Sequence, residues 1–98
     1  MRKKILIGGI PYRIKRLRYK QKRVANINPA RCTVGLTPGR PQRAYLSDLL
    51  HEVIHEADKH LSERRVRAIE TYVFLFLAQN GLVRWKRLER LIGNALHR

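Results

Sequence analysis

Two histidines lie four residues apart in the segment His51-Glu52-Val53-Ile54-His55. If this segment is helical, both imidazoles project from one face about one turn apart, where they can share a tetrahedral zinc ion. Zinc makes a bound water acidic enough to act as a nucleophile near neutral pH. Glu52 would accept the proton of that water and later pass it to a leaving amine. The motif therefore predicts zinc-dependent peptide hydrolysis; the alternative is a solvated helix face that carries two histidines.

A third zinc ligand is expected on the helix that follows. A tight turn near His60-Leu61 would make the two helices antiparallel and place Glu70 level with His51. Glu70 also lies on an apolar stripe, where a carboxylate needs a buried partner such as a metal. Glu63 lies two helical turns before Glu70 on the same face, nearer the loop between the helices, and is the alternative ligand. Glu70 could instead pair with Arg67, and the helix dipole alone would favour an acid at Glu63.

Two aspartates are candidates for holding the histidine rings. Asp48 and Asp58 each lie three residues from a motif histidine, on the same helical face. Either carboxylate could accept a hydrogen bond from the imidazole nitrogen that does not bind metal. Either could equally be a plain surface acid.

Three helices are predicted to position these residues. The first, from about 41 to 59, has apolar residues at helical spacing: Leu46, Leu49, Leu50, Val53, Ile54 and Ala57. The second begins after Ser62, a plausible N-cap, and ends near Asn80-Gly81. It is expected to bury Val66, Ile69, Val73, Phe76 and Leu77. The third has an apolar stripe of Leu82, Trp85, Leu88, Ile92 and Leu96.

The region before these helices has the pattern of two β-hairpins. Residues 4–7 and 10–14 flank Gly8-Gly9, and residues 24–27 and 32–36 flank an Asn-Pro turn. Strands followed by helices indicate the α+β class. We therefore expect one domain over residues 1–98, with a small antiparallel sheet of two hairpins followed by three helices.

Positive charge dominates the N-terminal half. The chain has 22 Lys and Arg residues against 7 Asp and Glu, a net charge of +15, and no acid precedes Asp48. Such a surface attracts polyanions, and interleaved Tyr12 and Tyr19 could stack on unpaired bases. The candidate nucleic-acid-binding residues are Arg13, Lys15, Arg16, Arg18, Lys20, Lys22 and Arg23. A solvated strand surface with general positive charge is the alternative.

Cysteine content and apolar runs bear on location. Cys32 is the only cysteine, so no internal disulfide can form, which fits a reducing compartment. The apolar run at residues 5–7 is too short for a signal-peptide core, and the run at 72–78 is too short to span a bilayer. These features predict a cytoplasmic protein with no membrane partner.

The stretch from residue 49 to 81 resembles small phage-encoded HExxH proteins, which are similar to minimal zincins of the ImmA/IrrE-like and SprT-like groups. The motifs that carry the likeness are residues 50–55 and 61–66, and the hairpin at 5–12 resembles the opening strands of these proteins. The resemblance implies a short sheet against the motif helix, with zinc bound by two histidines and an acid of the following helix. It gives His51 and His55 the ligand roles, Glu52 the catalytic role, and a peptide or protein as substrate. SprT-like proteases act on DNA-bound proteins, so nucleic acid is a compatible partner. The alternative is a basic nucleic-acid-associated or partner-binding regulatory phage protein whose zinc is structural or vestigial.

Overall fold

A computed structural model describes residues 4–17 and 25–96. It contains four strands and three helices among these residues: β1 (Lys4–Ile7), β2 (Ile10–Arg16), β3 (Ala25–Asn28), β4 (Thr33–Leu36), α1 (Gln42–Ala57), α2 (Glu63–Gln79) and α3 (Trp85–Leu96). The α+β class is confirmed, with the sheet before the helices. The motif segment lies inside α1, as predicted.

The four strands form one mixed sheet in the order β1-β2-β4-β3. Both predicted hairpins are present as antiparallel pairs, and the first turns through Gly8 and Gly9. These glycines have φ values of 59° and 80°, which glycine adopts without a Cβ clash. The expectation of a purely antiparallel sheet is wrong, because the inner strands β2 and β4 pair in parallel. Alternation of apolar residues specifies which face of a strand is buried, but it does not specify the direction of the neighbouring strand.

The core lies between one face of the sheet and the helices α1 and α3. On β2, Tyr12 and Ile14 are buried while Arg13 and Lys15 are exposed on the opposite face. The buried side chains that form the core are Ile14, Ala25, Val34, Leu36, Tyr45, Leu49, Ile92 and Leu96. One face of α1 is therefore fixed against the sheet, which leaves another free to present side chains to α2.

Helix α2 runs back along α1, and its ends are those that the sequence predicts. The Ser62 hydroxyl accepts a hydrogen bond from the Arg65 N–H at 3.2 Å, which caps the first turn. At the other end, Gly81 has a φ of 67°, a conformation typical of the residue after a helix. Val66 of α2 is fully buried, and α2 packs against α1. This packing sets the level at which residues of α2 meet the motif histidines.

The apolar stripe of α2 is less covered than predicted. Ile69 is 39% exposed and Phe76 is 61% exposed, so the expectation that both are buried is wrong. The reason is that α2 packs mainly against one element, α1. A single neighbouring helix covers a narrower strip of the α2 surface than neighbours on two sides would. Leu82 is also exposed, since it precedes α3 instead of lying on its stripe.

Trp85 anchors the start of α3. Its ring lies 6.4 Å from the ring of Phe74 on α2, and the Arg43 guanidinium of α1 lies 4.9 Å from its centroid. Further along α3, Ile92 and Leu96 enter the core. None of the helices in the described part of the chain has both the length and the apolar character to cross a membrane.

Candidate metal centre

Helix α1 brings the two motif histidines together. The rings of His51 and His55 are 4.8 Å apart between centroids and meet edge to face. Their side chains are 21% and 32% exposed. Tyr45 and Leu49, on the same helix, are buried in the core and hold α1 against the sheet. The motif face is therefore a fixed surface on which both imidazoles meet the start of α2.

Glu63, in the first turn of α2, contacts both histidines. Its Oε1 atom lies 3.2 Å from Nε2 of His51 and is also hydrogen-bonded to Nε2 of His55. The ligand atoms of these three residues all lie within 4.8 Å of one another. Two imidazole nitrogens and one carboxylate oxygen form a donor set found in catalytic zinc sites. The Glu63 side chain is 56% exposed, so this group opens to solvent.

Glu70 contacts the opposite side of the His51 ring. Its Oε1 lies 2.8 Å from Nδ1 of His51, while its Oε2 accepts a hydrogen bond from the Ser47 hydroxyl. The two helices therefore meet at the predicted level, with Glu70 beside His51. An acceptor on Nδ1 favours the tautomer that carries its proton there and leaves the Nε2 lone pair free to bind a metal. The structure thus places Glu63, the alternative candidate, at Nε2 of both histidines and Glu70 at Nδ1 of His51.

Ser47 is a site residue that sequence reasoning missed. It lies four residues before His51 on α1, so it falls on the same helical face. Both carboxylate oxygens of Glu70 are engaged because Ser47 binds the one that His51 does not. The helical spacing from His51 is a signal that could have identified it.

The electrostatics of the group favour a positive charge. Partial burial lowers the pKa of His51, but its hydrogen bond to Glu70 and the charge of Glu63 outweigh burial, and the net pKa is raised above the ordinary value. The hydrogen bond to His55, followed by the charge of His51, holds the pKa of Glu63 below its usual range. Two carboxylates around two imidazoles therefore stabilise a cation, which is what a metal site requires.

Glu52 lies at a cleft that begins at His51. The cleft has a volume of about 710 Å³, and its walls include His51, Glu52 and Glu70. Ala25 of the edge strand β3 and Phe74 of α2 form further parts of the wall. This volume is within the range of about 300 to 1,000 Å³ for small-ligand sites. Glu52, the predicted catalytic residue, and His51, a predicted ligand, thus line the same cleft, while His55 and Glu63 are not among its lining residues in the described chain.

Neither of the two aspartates proposed to hold the histidines contacts an imidazole within the described ranges. Asp48 is 7% exposed and accepts two hydrogen bonds from Arg40, at 2.7 Å from Nε and 3.1 Å from Nη2. Burial raises the pKa of Asp48, although the bond and charge of Arg40 oppose the shift. Asp58 accepts from the His60 backbone N–H at 2.9 Å. It follows the last residue of α1 in extended conformation, so it leaves the helical face on which His55 lies.

The predicted nucleic-acid-binding residues are only partly described. Arg13, Lys15 and Arg16 are exposed on β2. Arg18, Lys20, Lys22, Arg23 and the stacking candidate Tyr19 lie outside the described residues.

The other stacking candidate, Tyr12, is 4% exposed, so its predicted role in stacking on bases is wrong. The period-two pattern of β2 turns it toward the core. The hairpin register pairs Lys4 with Arg13, so Lys4 joins the basic surface. That register follows from the Gly8-Gly9 turn.

No protein-family model, curated protein or solved structure matches this chain. The comparisons therefore assign it to no family. The residues and their geometry carry any functional conclusion.

Proposed function

We propose that this protein is a zinc-dependent peptide hydrolase whose metal is held by His51, His55 and Glu63. One observation carries the proposal: Nε2 of both histidines converges on a single carboxylate oxygen of Glu63. Nitrogen and oxygen donors of this kind suit zinc, and three protein ligands would leave room on the ion for water or substrate. Zinc in this donor set would act as a Lewis acid toward a carbonyl group and would acidify water.

Glu70 and Ser47 position His51 in this proposal. The Glu70 carboxylate accepts the Nδ1–H of His51, which fixes the orientation of the ring and the identity of the free nitrogen. Ser47 donates to the other oxygen of Glu70 and so limits rotation of the carboxylate. A ligand supported in this way keeps its direction when the substrate enters, which is a requirement for catalysis from a small domain.

Glu52 acts as the general base and then as the general acid. Its carboxylate accepts a proton from the attacking water, and the same proton passes to the amine nitrogen as the carbon–nitrogen bond breaks. The support for this role is its place beside His51 on the wall of the cleft. Removing its charge should abolish hydrolysis without removing a metal ligand.

An extended peptide along β3 would bring its backbone to the cleft. β3 is an edge of the sheet that the described strands form, and Ala25 on this strand also lines the cleft. The free backbone groups of an edge strand can pair with an added chain, which places alternate side chains on either side. We therefore propose an unfolded or extended protein segment as the substrate class.

The test is hydrolysis of a quenched fluorescent peptide library by zinc-loaded protein. Glu52→Gln should lose activity and retain its zinc, while Glu89→Gln, an exposed acid of α3, serves as the matched control with activity unchanged. Activity that survives in Glu52→Gln would contradict the assigned base. Absence of hydrolysis in zinc-loaded wild-type protein across the library would contradict the proposed enzyme class.

A second candidate function is polyanion binding by the outer face of the sheet. It is favoured by the register that sets Lys4 beside Arg13, with Lys15 further along the same exposed face. In that case the metal would be structural. Binding to single-stranded DNA should weaken steeply with salt and be reduced in Arg13→Glu relative to Arg64→Glu, a matched change on α2. Affinity that is flat with salt would rule this function out.

A further inference from the structure

A second cavity, which we call the β1 groove, lies between β1 and α3. Its volume is about 840 Å³, and none of its described lining residues also lines the cleft beside His51. Four basic residues form its rim: Lys4, Arg84, Arg87 and Arg90. All four are exposed, no acid lines the groove, and none of them takes part in an ion pair with another described residue. The rim therefore attracts negative charge and has little within the described chain to neutralise it.

The floor of the β1 groove is apolar. Leucines from all three helices contribute to it: Leu46, Leu77, Leu88 and Leu91. Leu6 on β1 and Leu82 before α3 also line the groove, and they are 69% and 57% exposed. Large apolar side chains that remain exposed beside a charged rim are typical of a surface that binds a partner.

The groove borders the open edge of β1. Lys4, Ile5 and Leu6 all line it, although consecutive strand residues point to opposite faces. Ile7 and Ile10 flank the two-residue turn and form a hydrogen-bonded pair, so Leu6 belongs to the next, non-hydrogen-bonded pair. Its backbone N–H and C=O are therefore directed away from β2. In the described sheet no strand lies on that side of β1.

We propose that the β1 groove binds an extended acidic segment of a partner protein, which adds to the sheet as a strand beside β1. Backbone groups of the segment would pair with Leu6, and its acidic side chains would meet the four basic residues of the rim. Alternate apolar side chains would enter the leucine floor. Strand addition of this kind takes affinity from the backbone and specificity from alternate side chains. The proposal does not depend on zinc or on hydrolysis.

The first test measures the binding of a fluorescein-labelled synthetic peptide of alternating glutamate and valine by fluorescence anisotropy. Arg87→Glu should weaken binding about tenfold, because a favourable charge contact becomes a repulsive one. The matched control is Arg64→Glu, which changes the net charge equally on an exposed part of α2 that lines neither cavity. A second control is a peptide of the same length with alternating lysine and valine, which should bind far more weakly. Equal weakening in both variants, equal binding of the two peptides, or no binding at all would overturn the proposal.

The second test separates strand addition from docking of a helix. Hydrogen exchange of the Leu6 amide should slow when the peptide saturates wild-type protein, since that N–H gains a partner only from an added strand. The Ile5 amide already faces β2 and serves as the internal control. Binding that leaves exchange at Leu6 unchanged, as an acidic helix on the leucine floor would, overturns the proposal.

Discussion

Replacing Glu70 with glutamine tests whether this side chain positions His51 or binds the metal itself. The Glu70 carboxylate is 17% exposed and lies 2.8 Å from Nδ1 of His51. Glutamine keeps the size and one acceptor oxygen but removes the charge. A hydrogen bond to a charged group contributes about 1.5–3 kcal/mol and a neutral one about 0.5–1.5 kcal/mol, so the difference is roughly 1 to 1.5 kcal/mol. Zinc affinity should therefore weaken about tenfold.

This loss is at the lower end of the range of about 10- to 100-fold for partners that orient a ligating histidine. Glu63→Gln should weaken zinc binding more than Glu70→Gln, because it replaces a carboxylate ligand with a neutral amide. Glu89→Gln is the matched control and should bind zinc as the wild type does. The assay is competition for zinc between each metal-free variant and a chromogenic chelator, with circular dichroism to verify folding.

The ranking of the two variants decides the assignment. If Glu70→Gln weakens zinc binding as much as Glu63→Gln or more, then Glu70 is the ligand and Glu63 is not. That result would contradict the role given to the contact between Glu70 and Nδ1 of His51.

Four further predictions concern pH and stability. The pKa of His51 is raised above 6.5, so its contribution to the stability of the metal-free protein should be present below pH 6.5 and lost as pH rises through the folded-state pKa. Thermal unfolding in the presence of a chelator checks this. A stability that rises over that interval would contradict it. Zinc affinity should show the opposite trend and rise over the same interval, because the proton competes with the metal for His51. Asp48 also has a raised pKa, so its ionisation beside Arg40 should reduce stability as pH rises from 3.8 through the folded-state pKa. Urea unfolding of wild type and Asp48→Asn over this pH interval checks this. An equal slope of unfolding free energy against pH in both proteins would refute it. Leu36→Ala should cost about 2–5 kcal/mol of unfolding free energy at a fully buried site, and a loss below 1 kcal/mol on the same urea assay would contradict the core packing.

Local signals predicted most of the secondary structure. The Gly8-Gly9 turn predicts the first hairpin. Ser62 and Gly81 predict the ends of α2, because the Ser62 hydroxyl accepts a hydrogen bond from a backbone N–H of the first turn and Gly81 adopts the positive φ that ends a helix. The four-residue spacing of the histidines placed both on one face of α1. The direction in which β2 meets β4 depends on how the two hairpins pack, and no local pattern encodes it.

Within the candidate site, the sequence predicts the position of each acid along the paired helices but not which histidine nitrogen it contacts. Glu70 lies beside His51 as the antiparallel helices require, yet it meets Nδ1, while Glu63 meets Nε2. Which nitrogen of His51 meets which acid depends on the rotation of the imidazole ring, and this rotation is set by side-chain packing and not by the spacing of residues in the sequence. Asp48 contacts a guanidinium instead of an imidazole, because Arg40, eight residues earlier, reaches it from the loop before α1.

Metal analysis of purified protein tests the central claim most directly. Wild-type protein and Glu52→Gln should each carry one zinc ion per chain after dialysis against trace zinc, and His51→Ala/His55→Ala should carry none while retaining its helical circular dichroism. A folded double variant that holds as much zinc as the wild type would contradict the claim that these two histidines bind the metal.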